Sequence, residues 1–238
     1  MKPNIHISST KDSLARDFAN WMLEDVLSTE GMYHIALSGG STPKLLFDIL
    51  AVDYKDKFPW NRIHLWWGDE RMVGPDDPES NYGMTNLRLI SGIDIPSTHI
   101  HRVRGEDKPE EEVIRYGREI QGFLESENGQ PVFQLMMLGM GGDGHTASIF
   151  PNHLEYLDVE DPTLLARHPD SGQLRVSLSG KTINQSRKIA FLVAGDSKKE
   201  KVKAILKKEH AESYPAFYIR GNGHNVFWFL DEEAASEL

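Results

Sequence analysis

The sequence predicts an α/β fold, an open and mainly parallel sheet flanked by helices in a Rossmann-like, doubly wound arrangement. Short apolar runs alternate with longer amphipathic stretches along the chain, the pattern of successive βα units. Three of the apolar runs end in turns carrying glycine together with hydroxyl or charged residues, as strand exits of such sheets do. There is no internal repeat and no low-complexity tract, so the 238 residues are expected to form one domain, 1–238, with a full hydrophobic core.

Taken in order, Leu14, Phe18, Trp21, Met22 and Val26 recur at helical spacing and predict a helix over 12–28. His34 to Leu37 reads as a strand, followed by Ser38-Gly39-Gly40-Ser41-Thr42-Pro43 and a helix through Leu50. Ile63 to Trp67 is a second strand, ending at Gly68-Asp69-Glu70-Arg71. A loop rich in turn formers runs from Gly74 to Tyr82. Val113 to Leu124 is predicted helical and Val132 to Leu138 a strand, which runs into Gly139-Met140-Gly141-Gly142-Asp143-Gly144-His145 and a short helix ended by Pro151. Residues 152–173 lack periodicity and read as a long excursion. Leu174–Leu178, Ile189–Ala194, Ala216–Ile219 and Val226–Leu230 are further strands, with a helix from Lys198 to Lys208 and a small acidic tail.

Composition narrows the function. A net charge of −10 argues against a general nucleic-acid or membrane-surface binder. An anionic small molecule stays compatible, because screening over about 8 Å lets a few local cations outweigh a distant acidic surface. With no cysteine there is no disulfide framework, thiolate nucleophile or cysteine-ligated metal. No apolar run approaches a membrane span or follows a basic start, so neither a membrane segment nor a signal peptide is expected, and a cytoplasmic location fits.

The chemistry gathers at strand exits. In Ser38–Pro43, Gly39 and Gly40 allow a tight turn that brings bare N–H groups to a ligand, and Ser41 and Thr42 cap the next helix or donate hydroxyls. The positive end of that helix favours an anion such as phosphate, although the segment also reads as a plain turn and cap and lacks the Walker A spacing. Asp69, Glu70 and Arg71 either position a substrate or form a salt-bridged loop. Gly139, Gly141 and Gly144 match a dinucleotide fingerprint only weakly, because Pro151 cuts the following helix short. His145, two residues after Asp143, is a candidate general base whose tautomer a carboxylate would set, or else a structural histidine on a turn. Arg175 shares a strand face with Ser177 and Ser179, and Lys198 stands at a helix start, a poor position for a cation unless an anion is near. His99 and His101 share a face without a third ligand, so no metal is expected.

Together the blocks Leu37–Pro43, Trp67–Arg71, Ser80–Tyr82 and Leu138–Pro151, with weaker ones at Arg175–Ser179 and Ala194–Lys198, resemble the 6-phosphogluconolactonase family. The ordered set spans about residues 8 to 230; the family often has proline at the position of Gly142 and a proline-rich approach to the Arg175 strand. The resemblance implies hydrolysis of 6-phosphoglucono-δ-lactone in the pentose phosphate pathway, a sugar-phosphate lactone substrate and no cofactor. It also implies His145 as general base oriented by Asp143, with Arg71 holding substrate or stabilising an oxyanion. Phosphate would rest on Ser41, Thr42 and the helix N-terminus, with Lys198 and Arg175 as counter-charges. The related glucosamine-6-phosphate deaminases carry glutamate five residues after the histidine and tyrosine after the Asp-Glu pair; here Phe150 and Arg71 stand there. A non-catalytic sugar-phosphate sensor would carry a basic helix-turn-helix module, which does not fit this acidic chain.

Overall fold

The computed structural model describes residues 4–221 and 225–238. Six parallel strands form the main sheet: β1 (Asn4–Ser8), β2 (Tyr33–Leu37), β3 (Ile63–Trp67), β7 (Leu135–Leu138), β10 (Lys188–Val193) and β11 (Val226–Asp231). Their spatial order is β1-β11-β10-β7-β2-β3. Every residue of β2, β3 and β7 is buried, His34 and His64 included, as strands covered on both faces are. Neighbouring strand residues point to opposite faces, so Trp66 enters one core and Trp67 the other.

Helices α1 (Lys11–Ser28) and α2 (Ser41–Asp53) bring Leu14, Phe18, Leu46 and Phe47 to the Trp67 face. The Trp66 face is covered by α4 (Pro109–Phe123), α5 (Gly180–Gln185) and α6 (Lys199–Lys207), through Tyr116, Ile120, Ile183, Val202 and Ile205. Helix α3 (Asn81–Arg88) packs beside α2, and α7 (Glu232–Ala235) closes the chain against β11. Among the described residues, no helix is long and apolar enough to cross a membrane.

A second sheet stands at the carboxyl edge of the first. The chain leaves β3 at Gly68 and enters β4 (Asp69–Arg71), which pairs antiparallel with β9 (Leu174–Leu178), itself flanked by β8 (Thr163–Arg167). A small hairpin of β5 (Ser126–Glu127) and β6 (Gln130–Pro131) lies apart.

Leu174–Leu178 is a strand as expected, and it lies in the antiparallel sheet because its partner is the chain just after Gly68. Other expectations need correction. Ala216–Ile219 is no strand: Pro215–Tyr218 is a 3-10 turn, and the Ala216 N–H is spent on the Gly144 carbonyl. No helix follows His145; Thr146 and Ile149 bridge across a tight turn in which Ala147 has φ +46°, outside the helical region. The loop from Gly74 stops at Ser80, whose hydroxyl caps α3, so Asn81 and Tyr82 are already helical.

Candidate active site

β2 leads rightward to β3, whereas β7 leads leftward through β10 to β11, so the strand order reverses between β2 and β7. Ligands of open α/β sheets bind outside the carboxyl ends at such a reversal. A cavity of about 240 Å³ lies there, walled by the turns after β2 and β7, the end of β10 and the β4–β9 pair. Gly39, Gly40, Ser41, Thr42, Arg71, His145, Arg175 and Lys198 all line it; Asp143 stands behind His145.

The turn after β2 is built by backbone freedom. Gly40 has φ +110° and occupies the cap position of α2, with no side chain capping the helix. Ser41, Thr42 and Pro43 therefore form the first helical turn, and the positive end of α2 faces the cavity. Gly39 is required for a different reason: a Cβ there would fall 1.9 Å from the Asn81 Oδ1. Asn81 in turn donates to the Asp69 carbonyl at 2.9 Å, tying the two turns together.

In the turn after β7, His145 Nδ1 lies 2.6 Å from Asp143 Oδ1, which also accepts the His145 backbone N–H at 3.1 Å. Partial burial works to raise the Asp143 pKa, but the hydrogen bonding from His145 prevails and holds it down at about 2. An ionised carboxylate only accepts, so Nδ1 carries the proton and Nε2 is left as the basic nitrogen. The imidazole is 27% exposed, open to the cavity, and packs tilted on the buried Phe150 ring at 4.9 Å. A Cβ on Gly141 would lie 2.2 Å from His145 Nδ1, so only glycine admits the imidazole over this turn. A Cβ on Gly142 would meet nothing within 4 Å, so its departure from the family's proline leaves the pair undisturbed.

The β4–β9 ladder sets Arg71 directly opposite Arg175. Like charges facing across a ladder repel, and both Nε–H groups are buried without a partner among the described residues. Arg71 reaches the Glu79 carbonyl with Nη1, whereas Arg175 approaches Asp69 at 3.7 Å and lies over Phe150 at 5.7 Å. Burial lowers the pKa of Arg175, opposed by Asp69. Lys198 ends a 3-10 turn at the start of α6, and burial lowers its pKa against the pull of Asp143. Among the described residues Arg71 and Lys198 have no ion pair and Arg175 has only the 3.7 Å approach of Asp69, which makes the cavity receptive to an anion.

The Asp-Glu-Arg segment divides. Glu70 turns away from the cavity and accepts the N–H groups of Arg71, Asn81 and Tyr82 and the Ser80 hydroxyl, so it serves as structure. Asp69 lines the cavity, receiving the Ser148 hydroxyl at 2.7 Å. Sequence reasoning gave no role to Asn81 or Ser148; the Ser80-Asn81-Tyr82 block was the available signal for the first. Among the described residues, no group of three or more histidine, aspartate or glutamate side chains is arranged to hold a metal.

Residues 8–228 match the model of a family described as glucosamine-6-phosphate isomerases/6-phosphogluconolactonase. A 6-phosphogluconolactonase from Haemophilus influenzae is 46% identical over 208 residues, 86% of this chain and 87% of that protein. The crystal structure of devB protein superposes with a TM-score of 0.93 at 42% identity, covering 99% of each chain. The structure of 6-phosphogluconolactonase from Trypanosoma brucei gives 0.89 at 29% identity over 100% of this chain and 99% of that one. With the reversal-point cavity and its histidine–aspartate pair, these likenesses show that the chain belongs to the glucosamine-6-phosphate isomerase/6-phosphogluconolactonase family.

Proposed function

We propose that this chain is a carboxylic ester hydrolase that converts 6-phosphoglucono-δ-lactone to 6-phosphogluconate, with His145 as general base. The observation that carries this reading is the Asp143–His145 pair opening onto a cavity whose other walls hold Arg71, Arg175 and Lys198. The relatives of 40–46% identity named 6-phosphogluconolactonase support it.

In the proposed reaction, His145 Nε2 removes a proton from water as its oxygen attacks the lactone carbonyl carbon. Asp143 steadies the imidazolium that forms. Charge developing on the carbonyl oxygen is met by Arg71, backed by Arg175 across the ladder. Collapse breaks the bond from that carbon to the ring oxygen, which takes the proton from His145. A lactone is an activated ester, so no covalent nucleophile or cofactor is invoked. The phosphate rests on Ser41, Thr42 and the start of α2, with Lys198 as counter-charge. Residues 1–238 act as one catalytic unit, since both sheets contribute walls to the cavity.

The deaminase alternative needs an acid/base group near the sugar ring oxygen. Phe150, five residues after His145, is fully buried against the imidazole and supplies none. The test is hydrolysis of freshly made lactone with EDTA present, against the spontaneous rate. His145→Ala is expected to lose about 10²–10⁴-fold in kcat while still binding 6-phosphogluconate, because the phosphate contacts lie elsewhere. No acceleration by the wild type sinks the reading, and equal loss of binding and turnover makes His145 structural.

A further inference from the structure

We infer that Lys11, at the start of α1, is a second ammonium of the phosphate subsite and helps the site prefer a phosphorylated lactone over an unphosphorylated one. The inference deepens the lactonase reading and rests on its placement of the phosphate at the α2 N-terminus.

Lys11 is thirty residues from the turn it reaches. Thr10 caps α1 and forms a reciprocal box with Ser13, which fixes Lys11 as the first helical residue. From there its Nζ donates to the Ser41 hydroxyl at 2.9 Å. Ser41 is the first residue of α2 and part of the cavity wall. The ammonium thus lies close to the positive ends of two helices at once, where a cation is disfavoured by both dipoles.

No carboxylate among the described residues lies within ion-pair distance of Lys11 to offset that cost. Lys11 lines a side recess with Asp231 and Glu233, and Ala194 is a wall residue of both this recess and the main cavity. Asp231 is spent there, accepting the N–H groups of Gly195 and Ala234, and Glu233 is exposed. The arrangement is therefore a cation held beside a hydroxyl that lines an anion-receptive cavity. A phosphate oxygen accepting from Ser41 Oγ comes within reach of the Lys11 ammonium. A phosphate monoester carries close to two negative charges, and Lys198 alone does not neutralise it.

The test uses the full chain and two probes, orthophosphate by calorimetry and the paired substrates 6-phosphoglucono-δ-lactone and glucono-δ-lactone. Lys11→Met is expected to weaken orthophosphate binding and raise KM for the phosphorylated lactone, each by about tenfold, with kcat held within about twofold. That penalty is absent with glucono-δ-lactone, and Lys11→Arg restores most of the affinity. A Lys11→Met protein that melts normally and binds orthophosphate as the wild type does overturns the inference. So does an equal penalty on both lactones, which would make Lys11 only a tether between α1 and α2. If the wild type fails to hydrolyse the lactone but Lys11→Met still weakens orthophosphate binding, the lactonase reading falls and the assignment of Lys11 stands.

Discussion

Gly141 shows how closely the site is fitted at the scale of one residue. The imidazole of His145 and the carboxylate of Asp143 lie over its α-carbon, within 2.2 and 2.6 Å of where a Cβ would stand. Gly141→Ala must push both side chains off the turn while removing no contact of the substrate itself. Its expected signature is a loss of about 10²-fold or more in kcat, with KM for the lactone and the melting temperature little changed. Steady-state kinetics beside a thermal melt check this, and an alanine variant with normal kcat would mean the pair is not needed where it stands. Gly144 illustrates a different constraint: its φ of +81° and the Tyr214 ring packed on it both exclude a side chain.

At the scale of elements, α3 depends on one carboxylate. Glu70, itself buried with Ser80 and Asn81, gathers three backbone N–H groups and a hydroxyl from the start of α3 and the end of β4. These bonds hold Asn81 in place, and Asn81 in turn fills the space above Gly39. Glu70→Ala leaves several buried donors unpaired and should cost about 3 kcal/mol of stability. Urea denaturation measures this, and the same variant should lose substrate affinity through the displaced turn. A stable variant with unaltered KM would refute the link between α3 and the cavity.

At the scale of the molecule, the opposite end of the sheet carries a stack of histidines. His34 and His64 sit side by side near the starts of β2 and β3, with ring centroids 4.6 Å apart. His99 stacks on His64 at 3.9 Å, while His101 bonds to His64 at 2.8 Å and to Glu119, which Arg115 also holds. Burial, reinforced by the neighbouring histidines, lowers the pKa of His34 to about 4 and of His64 to about 3. The unfolded chain takes up these protons as pH falls through about 6.5, and the folded one does not until far lower. The unfolded state then binds more protons, so stability is full above pH 6.5 and declines below it. The slope approaches about 1.4 kcal/mol per pH unit for each of the two histidines. Urea midpoints at pH 7, 6 and 5 check the slope, and replacing His64 with phenylalanine should roughly halve it. A flat profile between pH 7 and 5 would show that the stack does not control acid stability.

The α/β class, the order of the strand exits and the Asp143–His145 pair are all legible in the chain before it folds. Apolar periodicity and two-residue spacing are local properties, readable without knowing what lies nearby in space. Glycine also stands in the sequence at the turns where backbone closely approaches another chain segment, as Gly39 does Asn81 and Gly144 does Tyr214. Three-dimensional packing alone sets Arg71 opposite Arg175, turns Glu70 to a structural role although its neighbours line the cavity, and puts the Leu174 strand in a second sheet. It likewise decided that Pro215–Tyr218 turns instead of pairing, and that Lys11 meets Ser41. Each of these rests on contacts between segments far apart in the chain, fixed by strand order and register. A pairing energy of that kind leaves no periodic trace in either segment alone.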